Sequence, residues 1–387
     1  MQVKAILNRV EKQPLFVYQS VRFVEGSRLE VEVVVRPRTN SRPRCSGCGQ
    51  VGPGYDTQGL RRFEFVPLWG IPVFFVYAMR RVQCRRCGVR VEGVPWASGK
   101  HHLTKTYAWF LARWARRLSW KEVAEVFHTS WQKVFRSVEM AVEWGRAHQD
   151  LDDIEAIGID EIQWQRGHRY LTLVYQIDAG CRRLLWIGKE RKEKTLLRFF
   201  RWFGAERSAA LRFICSDMWQ PYLKVVAKRA AQAAHVLDRF HIMKQLSKAI
   251  DDVRAQEVKT LKAEGYEPAL KRTRWLLLKR PENLTEKQEP RLAELLQYNL
   301  RSVRAYLLKE DFQSFWDYRS PYWAGQFLDR WCRRTMRSRL VPMKKVARSL
   351  RDHRDLLLNW FRAKGAISAA AVEGFNNKAK LTMRKAY

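Results

Sequence analysis

Residues 154–162 read Ile154-Glu155-Ala156-Ile157-Gly158-Ile159-Asp160-Glu161-Ile162. This short apolar run predicts a strand, and it sets Asp160 within or at the end of that strand. Working outward, 170–178 and 184–188 read as the next two strands and 192–203 as an amphipathic helix. A short apolar strand over 211–216, a helix over 221–234 and a strand over 235–237 follow. Three successive strands followed by alternating helices and strands predict a mixed α/β sheet. Residues 242–364 are charged, leucine-rich and helical in pattern, with breaks expected around 280–289 and 320–321. A final helix is expected from about residue 369 to the end.

The sheet pattern singles out three acids. Asp160 belongs to the first strand, Asp217 directly follows the strand over 211–216, and Glu373 falls in the first turns of the final helix. Alone, each is ordinary: an aspartate after a strand is usually a turn residue, and a glutamate early in a helix favours the dipole. Together, two strand ends and one helix can converge on divalent cations. Oxygen-only ligands suit Mg²⁺ or Mn²⁺. Two such ions about 4 Å apart stabilise the attacking and leaving oxygens of an in-line phosphoryl displacement.

Upstream, Cys45-Ser46-Gly47-Cys48-Gly49 and Cys84-Arg85-Arg86-Cys87-Gly88 form two matching knuckles. Four thiolates from two such pairs can surround Zn²⁺ tetrahedrally, and the glycine after each pair is expected to let backbone N–H groups approach the sulfurs. Four ligands close the site, so the zinc expected at Cys45, Cys48, Cys84 and Cys87 is structural. Cys181, Cys215 and Cys332 are isolated and read as core. Residues 15–36 alternate as a β-hairpin around Glu25-Gly26-Ser27, with Leu29, Val31, Val33 and Val35 on one face.

From Thr104 the period becomes helical. Tyr107, Phe110, Leu111 and Trp114 mark one helix; Ser119-Trp120-Lys121-Glu122 is a capping-box sequence that starts a second; Ser130 is placed to cap a third, over 131–146. Three short helices fit a helix-turn-helix. Gln132, Lys133 and Arg136 near the start of the last one would read base edges.

Lys and Arg number 73 against 39 Asp and Glu, a net charge of +34. That excess is an electrostatic footprint for a polyanion, nucleic acid first among them. With 46% hydrophobic residues the chain can build large cores and is not a disordered basic tail. The start lacks the apolar core of a signal peptide, and the longest uncharged stretch, 65–79, is broken by Pro67, Gly70 and Pro72. An intracellular, cytoplasmic protein with reduced thiols and no membrane partner is expected.

At this point the chain resembles the transposases of the ISL-three insertion-sequence family. The likeness covers nearly the whole chain. It rests on the paired knuckles, the three helices, Gly158-Ile159-Asp160-Glu161 followed by Gly167-His168-Arg169-Tyr170, Ser216-Asp217-Met218, Asp238-Arg239-Phe240-His241, and Val372-Glu373-Gly374-Phe375-Asn376-Asn377-Lys378. The resemblance implies a multidomain α/β protein: an N-terminal zinc ribbon and helix-turn-helix, then an RNase H-like catalytic domain interrupted by an all-helical insertion before the last acid. On that basis the chain divides into a β-hairpin segment (1–40), a zinc ribbon (41–100), a helix-turn-helix (101–150), the first part of the catalytic domain (151–241), the insertion (242–364) and a final catalytic helix (365–387). It further implies that Asp160, Asp217 and Glu373 are a catalytic triad holding Mg²⁺ or Mn²⁺. The expected function is a DDE transposase that binds the terminal inverted repeats of its element and cuts and joins DNA strands. The partners expected are double-stranded DNA, as element ends and target, and a second protomer or more, in a prokaryotic cell and associated with its nucleoid. A DNA-binding regulator derived from a transposase, or a metal-dependent nuclease that cuts without joining, are the alternatives. Asp238 and His241 are expected to support the site, with helix capping as the competing role for Asp238. Arg333, Arg334, Arg337 and Arg339 are expected to contact phosphates. Family members continue past the segment matching 384–387, so the last helix is expected to lack part of its usual flank.

Overall fold

The computed structural model describes residues 3–99, 101–265, 270, 273–363 and 370–385, apart from the side chains of 370, 371, 373 and 385. The chain divides into two compact units, Met1–Asp150 with Leu381–Tyr387, and Leu151–Lys380.

The first unit begins with helix α1 (Val3–Val10) and the hairpin β1 (Phe16–Val24) and β2 (Glu30–Pro37). Val31, Val33 and Val35 are buried on one face as their alternation predicts, whereas Leu29 lies ahead of β2 and is exposed. Two long strands follow, β3 (Gly54–Leu68) and β4 (Ile71–Cys84), then the short β5 (Gly88–Val91). β4 pairs antiparallel with β3 and β5 and parallel with β2. The hairpin and the cysteine-bearing segment therefore share one five-stranded sheet across the expected boundary at residue 40. The β3–β4 turn is made by Trp69 (φ 52°) and Gly70 (φ 79°), both left-handed. Such a two-residue hairpin turn matches the twist of the strands it joins. Glycine adopts that conformation freely; Trp69 is strained there, and it is 86% exposed.

The core of this sheet is aromatic. Trp96 is buried with the edges of Phe16, Phe63, Phe75 and Tyr77 around it. Glu92 is 3% exposed. It is balanced by Arg80, whose Nη2 donates to Oε2 at 2.8 Å, and by the Tyr77 hydroxyl. A buried carboxylate needs such partners to remain charged. Helices α2 (Lys105–Trp114), α3 (Trp120–Val126) and α4 (Trp131–Ala147) complete the unit around Tyr107, Leu111, Val123 and Val134. Thr104 caps α2, accepting from Tyr107 N at 3.2 Å. The capping box at α3 is complete: Ser119 Oγ accepts from Glu122 N at 3.2 Å, and Glu122 Oε2 from Ser119 N at 2.7 Å. Two orphan N–H groups are thereby satisfied reciprocally. Ser130 precedes α4, but its hydroxyl makes no capping bond.

In the second unit β6 (Ala156–Gln165), β7 (Arg169–Ile177) and β8 (Arg182–Lys189) are antiparallel neighbours. Helices α5 (Glu193–Phe203) and α6 (Ala205–Ala210) lead to β9 (Phe213–Ser216), and α7 (Gln220–Arg229) leads to β10 (Ala234–Leu237). The strand order is β10-β9-β6-β7-β8, with β10, β9 and β6 parallel, so the expected mixed α/β sheet is present. Leu196, Phe199 and Phe203 of α5 and Tyr222, Val225 and Val226 of α7 bury one face against Ile157, Ile159, Val174 and Ile214. The additional helix α6 lies in a stretch without a long apolar period, which left it unread in the sequence.

The helical stretch follows without a break: α8 (Arg239–Ala263) starts directly after Asp238, then α9 (Arg274–Leu278), α10 (Glu289–Leu296), α11 (Arg301–Gln313), α12 (Pro321–Arg337), α13 (Val341–Asp352) and α14 (Arg354–Arg362). Pro321 opens α12 at its first turn. A missing N–H costs nothing there, which explains the expected break. Phe312, Phe315, Leu328 and Trp331 form the centre of the helical core with Leu246 and Ile250. Glu257 of α8 accepts from the N–H groups of Arg301 (2.6 Å) and Ser302 (2.8 Å). A buried carboxylate thus stands at the start of α11, where the helix dipole favours it. Helix α15 (Ala370–Lys385) ends the described chain.

Candidate active site and cysteine centre

Register alone places three aspartates side by side. Gly158 pairs with Cys215 across β6 and β9, and Leu237 with Ser216 across β10 and β9. Continuing both registers sets Asp160 beside Asp217 and Asp217 beside Asp238. Asp217 and Asp238 directly follow the parallel strands β9 and β10, beyond whose carboxyl ends open α/β sheets present ligand sites, and Asp160 lies midway along β6, two residues past its pairing with β9.

Side chains on the face of Gly158 and Asp160 hold the first of them. Asp160 Oδ1 accepts from Glu161 N at 2.8 Å, and Oδ2 accepts from Asn376 Nδ2 of α15. Asn376 is itself fixed by Tyr175, whose hydroxyl donates to Oδ1 at 2.8 Å, and the Phe375 ring stacks on Tyr175 at 5.2 Å between centroids. Gly158 makes this approach possible: a Cβ there would sit 2.5 Å from Val372 Cγ2. Only glycine lets backbone and neighbour come so close. Burial raises the pKa of Asp160, and the nearby charges of Asp238 and Asp217 add to that. Glu373 falls on α15, three residues before Asn376. Its side chain lies outside the described residues.

Arg191 joins two acids. Its Nε donates to Glu161 Oε1 at 3.1 Å and its Nη2 to Asp217 Oδ2 at 2.7 Å, while the guanidinium lies 4.6 Å from the Trp219 ring centre. Asp217 Oδ1 accepts from Trp219 N at 3.0 Å. Glu161 is pushed up to about 7, first by burial and then by Asp217. Asp238 does two things. Its Oδ1 caps α8 by accepting from Phe240 N at 2.9 Å, and its Oδ2 pairs with His241 Nδ1 at 2.5 Å. That hydrogen bond raises the pKa of His241.

In the first unit the four cysteines converge. Among the described residues, Cys45, Cys48, Cys84 and Cys87 are the one group of three or more such side chains whose candidate ligand atoms all lie within 4.8 Å of one another. The glycines act differently from expectation. Gly49 (φ 74°) and Gly88 (φ 70°) supply the left-handed turn after each pair, a conformation that glycine adopts without strain. Gly47, inside the first pair, donates its N–H to Cys45 Sγ at 3.4 Å. The backbone N–H groups of Cys48 and Gly47 pull Cys45 down to about 7, and its neighbours' sulfurs, with burial, push Cys87 up to about 12. Four thiols this close cannot all ionise without a cation, so the donor set fits Zn²⁺.

A family profile described as a transposase of the DDE, ISL-three type matches residues 157–387. The chain belongs to that family. It is similar to the transposase for insertion sequence element IS1557 of Mycobacterium tuberculosis, 31% identical over 405 aligned positions, with 96% of this chain and 88% of the relative covered. It is also similar to the transposase for insertion sequence element IS1001 of Bordetella parapertussis, 28% identical over 348 positions, covering 89% of this chain and 84% of that one. Membership of this family implies use of a divalent metal, and the acidic row on the second unit offers oxygen donors.

The residues expected to meet DNA bases in this family member stand on α4. Gln132 and Arg136 are exposed. Lys133 is ion-paired with Glu64 of β3, a carboxylate that is 5% exposed. No helix among the described residues is long and apolar enough to cross a membrane. Glu161, Arg191, Tyr175 and Asn376 were not singled out by the sequence. Of these, Glu161, in the family-like stretch Gly158–Glu161, and Asn376, in the segment around Glu373, carried a signal; Arg191 and Tyr175 carried none.

Proposed function

We propose that the protein binds the terminal inverted repeats of an insertion sequence, cleaves the DNA strand at each end and joins the freed 3′ end to target DNA. One observation carries this reading. Asp160 lies two residues past the last β6–β9 pair, Gly158–Cys215, Asp217 directly follows β9, and α15, with position 373, is seated on β6 through Val372 and Asn376. On this reading the sheet of the second unit is an RNase H-like core and α8–α14 its helical insertion. Helices α2–α4 are a helix-turn-helix whose Gln132 and Arg136 face base edges. Lys133, held by Glu64, anchors α4 on the β-sheet of its own unit. Cys45, Cys48, Cys84 and Cys87 would hold a structural zinc.

Asp160, Asp217 and Glu373 would hold Mg²⁺ or Mn²⁺, which supplies Lewis acidity at the attacking and leaving oxygens when bound. The chain's own residues have to keep those carboxylates in place. Asn376 and Tyr175 orient Asp160, and the Trp219 N–H orients Asp217. In cleavage, water attacks the phosphorus at the element end and the P–O3′ bond breaks, leaving a 5′-phosphate and a free 3′-hydroxyl. That hydroxyl loses its proton as it attacks a target phosphorus, and the target's own P–O3′ bond breaks. No seryl or tyrosyl nucleophile is needed. Pairing two ends calls for at least two protomers.

The test is a strand-cleavage and strand-transfer assay on duplexes of the element's own ends, with Mg²⁺ or Mn²⁺. Metal-dependent cleaved and joined products, lost in Asp160→Asn and in Glu373→Gln, are expected. Products that persist in both variants would remove the triad. Cleavage without joining would make the protein a nuclease, and tight end binding without cleavage would make it a DNA-binding regulator.

A further inference from the structure

Arg191 is placed with more care than a surface arginine needs. It follows Glu190, a non-glycine residue at φ 72°, in the sparsely populated left-handed region. That backbone is pinned on both sides: Glu190 N donates to Tyr170 O at 2.8 Å, and Thr172 Oγ1 donates to Glu190 O at 2.8 Å. The guanidinium then stacks on Trp219 and spans Glu161, midway along β6, and Asp217, just after β9. Strain at 190 and a three-sided grip on 191 are the marks of a side chain held for a purpose.

The contacts of Asp217 show what that purpose is. Its Oδ1 is committed to the Trp219 N–H, which shapes the turn after β9. Its Oδ2 is the oxygen left to face a cation, and Arg191 Nη2 holds it at 2.7 Å. A divalent ion on Oδ2 would lie within a few ångströms of a fixed positive charge, which repels it strongly at a partly buried site. The pairing and the ion are therefore alternatives at this carboxylate.

We infer that Arg191 is a resident cation of the acidic row. It neutralises Glu161 and Asp217 while no divalent ion is bound and must release Asp217 for one to bind, so it sets the threshold for metal loading. This inference rests on the proposal that Asp160 and Asp217 are ligands of the catalytic metal. Arg191 is a positioning residue; it acts through Asp217.

The experiment measures Mn²⁺ binding to the full-length, zinc-loaded protein without DNA, following the paramagnetic resonance signal of free Mn²⁺. Arg191→Gln is expected to bind Mn²⁺ about fivefold more tightly than the parent, the scale of one partly exposed ion pair. Lys192→Gln removes a neighbouring charge whose partner is Glu190, outside the row, and is expected to leave the affinity unchanged. Arg191→Lys keeps the charge without the two-carboxylate fork and is expected to fall between parent and Arg191→Gln. Equal or weaker Mn²⁺ binding by Arg191→Gln overturns the inference, as does an equal gain in Lys192→Gln. If Arg191→Gln fails to fold, Arg191→Lys decides: parent-like affinity overturns the inference. Asp160→Asn separates the two levels of the argument. Should it bind Mn²⁺ as the parent does, the metal reading of the acidic row falls; should it lose the ion while Arg191→Gln matches the parent, only the role of Arg191 falls.

Discussion

Asn376 reaches back 216 residues in sequence to Asp160, and this single amide ties the last helix to the first strand of its sheet. Removing it takes away the one side-chain hydrogen bond of Asp160 among the described residues and frees one end of the Tyr175 hydrogen bond. Asn376→Ala is expected to slow single-turnover strand cleavage by roughly 10- to 100-fold, the usual cost of losing a group that orients a metal-binding carboxylate. Affinity for the element ends should stay within about twofold, since a structural collapse would move both; cleavage at the parental rate would refute the role. His235 makes a pH prediction. It is buried in β10 with Nε2 2.7 Å from Ser216 Oγ, and burial lowers it to about 4. A histidine held below its unfolded value of about 6.5 contributes stability that is complete above pH 6.5 and lost as pH falls toward 4. Denaturant unfolding between pH 7 and 4 should show the parent losing up to about 3 kcal/mol more than His235→Gln; parallel losses in the two would exclude His235 as the cause. Such residues show where the sequence stops being legible. Asp160 and Asp217 were readable because each acid directly follows an apolar run, although β6 continues past Asp160 to Gln165. Arg191 and Asn376 were not, because their partners are set by sheet register and helix docking, which no local pattern encodes.

The helices of the first unit sort true caps from apparent ones. Ser119 and Ser130 look alike in sequence, yet only Ser119 completes a capping box, because Glu122 stands three residues on to return the bond while Ser130 is followed by Lys133. Ser119→Ala is expected to cost about 1 kcal/mol, and Ser130→Ala less than about 0.5 kcal/mol, in thermal or denaturant unfolding. Equal costs would contradict the assignment. The strands of the second unit were legible for the reason α3 was: their signal is local. The β1–β2 hairpin was legible too, but not its parallel pairing with β4, which joins residues about forty positions apart and turns two expected segments into one sheet. The cysteine pairs were read from spacing alone, since two knuckles need no knowledge of the strands between them. Those strands are 15 and 14 residues long.

At the scale of the whole molecule the charge of +34 predicts strongly salt-dependent DNA binding. On α12 and just beyond it, Arg333, Arg337 and Arg339 are exposed, whereas Arg334 is ion-paired with Asp311. Replacing the first three with Gln should flatten the slope of log affinity against log salt by roughly one unit for each phosphate contact removed; an unchanged slope would place the DNA elsewhere. The helices that carry these arginines have a further property. The chain leaves the sheet at the end of β10, runs through α8 to α14, and comes back to the same strand, where Asn359 Nδ2 donates to His235 O at 2.9 Å. A detour that departs from and returns to one strand adds no distance for the sheet to span, and the entropy of closing it grows only slowly with its length. Because it begins and ends at one strand, its length is decoupled from the sheet: residues added or removed within it leave the pairing of β10, β9 and β6 unstretched.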